Sequence, residues 1–106
     1  MTFPEYFQQV KDRFQGADVS QVSDPTRIQI NITGQAAGTF YVEIKGGKLA
    51  IEPYEYHDRD VELTISDENF WKIAERKLDP VAAFTFGKLK AQGDLGKALE
   101  LKKLLP

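Results

Sequence analysis

The 106-residue chain contains no cysteine, which excludes a disulfide framework, a thiolate nucleophile and a cysteine-based zinc site. The core must hold the fold without covalent help. There is one histidine, and Lys+Arg number 14 against 16 Asp+Glu, a formal charge of -2. That balance lacks the basic excess needed to neutralise several phosphates, so nucleic acid is not an expected partner. No apolar run approaches the ~18 residues of a membrane span. The start, MTFPEYF, meets charge at Glu5 and has neither the basic nor the apolar region of a signal peptide. A cytoplasmic protein is expected. There is no internal repeat, low-complexity tract or linker, and the length suits one domain over residues 1–106.

What is present is alternation. Thr2 and Glu5 have the spacing of a capping box, and Phe3, Tyr6, Phe7, Val10 and Phe14 follow on one helical face. Three runs then alternate with period two: Ile28, Ile30, Ile32; Phe40, Val42, Ile44; and Leu49, Ile51. They read as a meander of strands, the last two joined through Gly46-Gly47. Val61, Leu63 and Ile65 make a fourth strand ending at Ser66-Asp67, where a helix carrying Phe70, Trp71, Ile73 and Ala74 is capped. Asp79-Pro80 starts a short apolar helix, VAAFTF, closed by Gly87; Lys88 to Gln92 is a fifth strand, and Asp94 caps a leucine-rich last helix. Between the apolar positions lie Gln29, Asn31, Glu43, Lys45, Glu62, Thr64 and Lys90, so one sheet face should be wet. The pattern predicts a two-layer α+β fold, a five-stranded, mainly antiparallel sheet with helices on one face. A buried ligand could lie only between the layers.

Candidate catalytic groups are sparse. His57 stands in the charged loop EYHDRD with Asp58 and Asp60 near it, without a partner nucleophile or a second metal-type ligand. Asp67 and Glu68 have a sufficient role in a first helical turn. Asn31-Ile32-Thr33 has the form of a glycosylation acceptor but lies in a strand of a chain without a signal peptide. Gly93-Asp94-Leu95-Gly96 lacks the further glycine and lysine of a phosphate loop. No catalytic residue, metal or cofactor is expected. By contrast, Val81 to Phe86 is apolar nearly all round, and the last helix is apolar beyond one packing face. Such elements suit a place between a sheet and a cavity.

The stretch SDENFWKIAERKLDPVAAFTFGKLKAQGDLGKAL resembles the sterol carrier protein type 2 domain family. The shared features are the acidic helix start, Phe70 and Ala74, Leu78 before Pro80, Ala83-Phe84, Gly87-Lys88-Leu89-Lys90, Gly93-Asp94 and Ala98. The resemblance covers nearly the whole chain. It implies five strands and helices enclosing an apolar tunnel that takes fatty acids, fatty acyl thioesters or sterols, with no catalytic residue. The ending LKKLLP is not a peroxisomal address, and Ala91 stands where the family commonly has a larger aliphatic residue, which alters the shape of the tunnel.

On this reading the chain binds and carries a lipid. Phe70, Trp71, Ile73, Phe84, Leu95 and Leu99 are expected on the helix side of the tunnel, and Phe40, Val42, Leu49 and Ile51 on the sheet side. Lys97 or Lys102 would meet an anionic head group, Trp71 would report filling through its fluorescence, and the last helix would act as a lid. The expected partner is a small-molecule lipid, with transient contact to a membrane or a lipid-metabolising enzyme; the sequence is silent on oligomeric state. The alternative is an accessory module with a filled core that docks to such an enzyme.

Overall fold

A computed structural model describes residues 1–106. Its elements are α1 (Phe3–Phe14), β1 (Thr26–Thr33), β2 (Gly38–Lys45), β3 (Lys48–Glu52), β4 (Val61–Ser66), α2 (Asp67–Ala74), α3 (Pro80–Thr85), β5 (Leu89–Gly93), α4 (Leu95–Glu100) and a closing 3-10 turn, Leu101–Leu104. Each α-helix starts where a short polar side chain meets orphan N–H groups. Thr2 forms a reciprocal capping box with Glu5, and Ser66, Asp79 and Asp94 accept from Asn69, Ala82 and Lys97.

The sheet order is β3-β2-β1-β4-β5. Three of its pairings are antiparallel, and β1 runs parallel to β4, so the sheet is mixed but mainly antiparallel. The parallel pair needs a crossover. Residues 53–60 supply it, passing over the polar face rather than through the helical layer. Tyr56 stacks edge-on to Tyr41 with centroids 5.0 Å apart. Its N–H donates to Gln29 Oε1 at 2.9 Å, and its hydroxyl donates to Glu43. The expectation of a wholly wet face is therefore corrected at its centre, where Gln29 is only 4% exposed. A buried amide needs partners, and Gln29 finds them in Tyr56, Asn31 and Glu62.

The opposite face is dry and is divided between two groups of helices. α1 lies over the β1–β3 half, where Phe7 meets Phe40 at 5.7 Å, and Val10 and Phe14 are buried. Phe70 of α2 joins the two halves through Phe40 at 5.8 Å and Phe14 at 6.2 Å. The start of α2 is tied to its neighbours by Asp67. Its carboxylate accepts the Ala36 N–H at 2.9 Å, and its carbonyl accepts the Tyr6 hydroxyl at 2.8 Å. Burial, and then the Asp67 charge, hold the Tyr6 phenol far above its ordinary range. Gly93 ends β5 at φ +116, where a Cβ would lie 2.6 Å from the Asp60 carbonyl oxygen, so only glycine lets this strand close against the end of β4.

Candidate functional site

Over the β4–β5 half the helical layer is short and incomplete. α2 has eight residues, and α3 and α4 have six each. They arch over the sheet without filling the space below, leaving an apolar cavity of about 240 Å3. Its floor is Leu63 and Ile65 of β4 with Leu89 and Ala91 of β5. Its walls are Phe70 and Ile73 from α2, Pro80, Val81 and Phe84 from α3, Leu95, Ala98 and Leu99 from α4, and Leu101. No charged or hydrogen-bonding side chain lines it. An apolar cavity of roughly 150 Å3 can stay dry and bind benzene, so this larger one has both the volume and the lining to take hydrocarbon. It opens to solvent between α3 and α4, where Val81, Phe84, Leu95 and Leu99 are 46%, 46%, 50% and 53% exposed.

The structure brings five of the ten residues singled out from the sequence to this cavity: Phe70, Ile73, Phe84, Leu95 and Leu99. The other five lie elsewhere. Phe40, Val42 and Ile51 line a closed void under α1, with Val10, Phe14, Phe70, Leu101 and Leu104, and it has no room for a water molecule. Leu49 packs half-buried at the edge of the core. The floor is thus built by β4 and β5 and not by β2 and β3, because α1 already covers the latter pair. Trp71 points away from the cavity into an open groove beside Tyr6, with their centroids 6.4 Å apart and the Arg13 guanidinium 5.7 Å from its ring. Its fluorescence therefore reports on that groove.

Leu63, Ile65 and Leu89 are legible in the sequence as core alternation, which does not place them at the cavity. Alternation says which face is apolar, not what covers it. Ala91 lies on the floor, so the departure from the family pattern falls within the cavity itself.

The expectation of a loose terminal lid meets a tethered tail. Leu101 and Leu104 are buried in the core. Lys97 Nζ donates to the Pro25 carbonyl at 2.7 Å, Lys103 Nζ donates to the Gln21 carbonyl at 3.0 Å, and Arg76 donates to the Leu105 and Pro106 carbonyls. Lys102 pairs with Asp79, the cap of α3, at 3.4 Å. The two lysines expected at a head group are therefore engaged with protein partners. Deleting the chain after Asp94 would remove core as well as mouth.

The Ala82 N–H and the Lys102 charge hold the Asp79 carboxyl below its usual range. The Ser23 hydroxyl and then Lys103 do the same for Glu100. A carboxylate with a depressed folded-state pKa contributes stability above its unfolded value, and that contribution is lost as pH falls through the folded one. Wild-type protein should therefore lose urea resistance below the ordinary carboxylate range. In D79N/E100Q part of that loss should be absent, and an acid limb identical to wild type would refute the assignment.

His57 lies in an exposed loop. Asp60, the neighbouring carboxylate that could orient it, instead accepts the Arg27 N–H at 2.8 Å and pairs with the Arg27 guanidinium at 3.7 Å. No group of three or more His, Cys, Asp or Glu side chains is placed to share a metal ion. No helix is long and apolar enough to cross a membrane.

Comparison with known proteins agrees with this architecture. The model of the SCP-2 sterol transfer family matches residues 5–106. Hydroxysteroid dehydrogenase-like protein 2 of Xenopus tropicalis is 35% identical over 78 residues, 73% of this chain and 19% of the relative. Sterol carrier protein 2 of Homo sapiens is 34% identical over 71 residues, 67% of this chain and 13% of that protein. The chain thus spans a fifth or less of these relatives' length. The solution structure of palmitated SCP2L2 from Aedes aegypti shares the fold, with a TM-score of 0.70 at 22% identity over 99% of this chain and 95% of that one.

Proposed function

This chain belongs to the SCP-2 sterol transfer family, and from that premise we propose that residues 1–106 form a single domain that binds a lipid tail in the cavity over β4 and β5 and carries it without chemical change. The observation that supports this most directly is the cavity's lining, which is apolar throughout and includes no nucleophile, base or charged side chain. A cytoplasmic location accords with the sequence. Phe70, Ile73, Phe84, Leu95 and Leu99 are the contact residues on the helix side, and Leu63, Ile65, Leu89 and Ala91 on the sheet side.

Transfer of hydrocarbon into such a cavity is worth about 0.8 kcal/mol per methylene, so a tail of about 15 methylenes could gain roughly 12 kcal/mol against an association cost of about 4 to 15. Specificity then has a definite form. With no polar side chain inside, the head group stays at the mouth and the buried part must be plain hydrocarbon. Affinity for saturated fatty acids should rise by up to about fourfold per added methylene until the cavity is full, then level off. A hydroxyl on the buried part of the tail should cost about 1–3 kcal/mol, because nothing there can satisfy it. Displacement of a fluorescent fatty-acid analogue checks both expectations. Affinity independent of chain length would sink the proposal. Native mass spectrometry of protein purified from its own source would identify the retained lipid.

A second reading is favoured by the length of the curated relatives, in which the matching region is a small part of a longer protein. In it the domain is an accessory module that docks to a lipid-metabolising enzyme without itself carrying lipid. Failure to bind any fatty-acid analogue, together with stable capture of such an enzyme, would select this reading.

A further inference from the structure

We propose that the cavity is a length gauge for acyl chains of about ten carbons, with Phe70 and Leu101 as the stop that the end of the tail meets. The inference rests on the lipid-carriage reading and adds to it the class of lipid. An apolar cavity of roughly 150 Å3 takes benzene, six carbons, and the same room per carbon in a cavity of about 240 Å3 accommodates about ten. That is a chain of medium length. The remainder of a longer tail would lie at the mouth, where Val81, Phe84, Leu95 and Leu99 are about half exposed and would touch it on one side only. Each carbon there loses less contact with water than one inside and gains correspondingly less.

The stop is a partition between two spaces. Phe70 and Leu101 are the two side chains that line both the open cavity and the closed void beneath α1. That void has no room for a water molecule, so a hydrocarbon chain, which is wider than water, ends at the partition. Both side chains are held in place. Phe70 is 2% exposed and meets Phe40 edge-on at 5.8 Å and Phe14 at 6.2 Å. Three residues earlier on α2, the Asp67 carboxylate accepts the Ala36 N–H and the Asp67 carbonyl accepts the Tyr6 hydroxyl, which pins this helix to α1 and to the loop before β2. Leu101 is buried, and the tail that follows it is tied back by Arg76 to the Leu105 and Pro106 carbonyls. A close-packed interior resists such displacement, so the wall stands where the tail arrives. The opposite limit is the floor, where the small side chain of Ala91 leaves depth over β5.

The test is displacement of a fluorescent fatty-acid analogue from the wild-type protein by saturated fatty acids of increasing length. Affinity should rise by up to about fourfold per methylene as far as about ten to twelve carbons, and by less than about 1.5-fold per methylene beyond. A steep rise that continues through about sixteen carbons would overturn the gauge and keep the carrier, whereas affinity independent of length would remove the carrier itself. Variants then locate the two limits. F70L, which gives up three side-chain carbons at the partition, should move the break up by about two to three carbons, and A91F should move it down by about four. L101V, a smaller change in the same wall, should move it up by about one and replaces F70L if the latter fails to fold. A break that stays at its wild-type length in the folded partition variant would overturn Phe70 and Leu101 as the stop.

Discussion

Replacing Ala91 with phenylalanine is expected to weaken binding of a long-chain fatty-acid analogue by roughly a hundredfold or more while leaving the protein folded. Ala91 sits on the cavity floor, half-buried on β5 opposite Leu63. A phenyl ring there enters empty space, so the usual overpacking cost of about 1–3 kcal/mol in a filled core is largely avoided. The ring would take the place of about four methylenes of ligand, worth about 3 kcal/mol at 0.8 each. Fluorescence titration gives the affinity, and circular dichroism with a urea midpoint confirms the fold. A folded A91F that binds like wild type would move the lipid away from this cavity altogether.

The largest effect on stability is expected for F70A. Phe70 is 2% exposed, packs against Phe40 and Phe14, and lines both the open cavity and the closed void beneath α1. Removing a buried phenyl from such a position costs about 3–5 kcal/mol, a large part of the roughly 5–15 that holds a domain of this kind together. The variant should be recognised by a much lower urea midpoint. Truncation also joins the two spaces that Phe70 separates, so a saturating long-chain fatty acid should raise the melting temperature of F70A more than that of wild type, through preferential binding to the folded state. A loss below about 1 kcal/mol would mean that the core repacks around the gap.

The two substitutions probe one design feature. Helices are long where the sheet is sealed and short where it is left open. Twelve residues of α1 close the β1–β3 half, whereas the six-residue α3 and α4 leave apolar side chains facing both the sheet and water. That exposure supplies the cavity mouth.

Much of this was written in local pattern. Thr2, Ser66, Asp79 and Asp94 announce four helix starts, because an acceptor one residue ahead of orphan N–H groups has the same physical effect in any context. Period-two alternation locates five strands and their dry face, since successive side chains must point to opposite sides. Excess apolar surface on Val81 to Phe86 and on the last helix marked those segments as cavity-forming, and Phe84, Leu95 and Leu99 do stand at the mouth.

Only the tertiary structure decided which half of the dry face stays open. Ile51 and Leu63 look alike in sequence, each an aliphatic residue on the inner side of a strand, yet one faces the closed void and the other the cavity. The difference is set by the parallel pairing of β1 with β4, which places β4 and β5 beyond the reach of α1. Gln29 teaches the same lesson on the other face, where a crossover loop buries a residue that alternation assigns to water. Periodicity records the orientation of a side chain relative to its own strand, whereas covering it depends on contacts between residues far apart along the chain, which no local signal encodes.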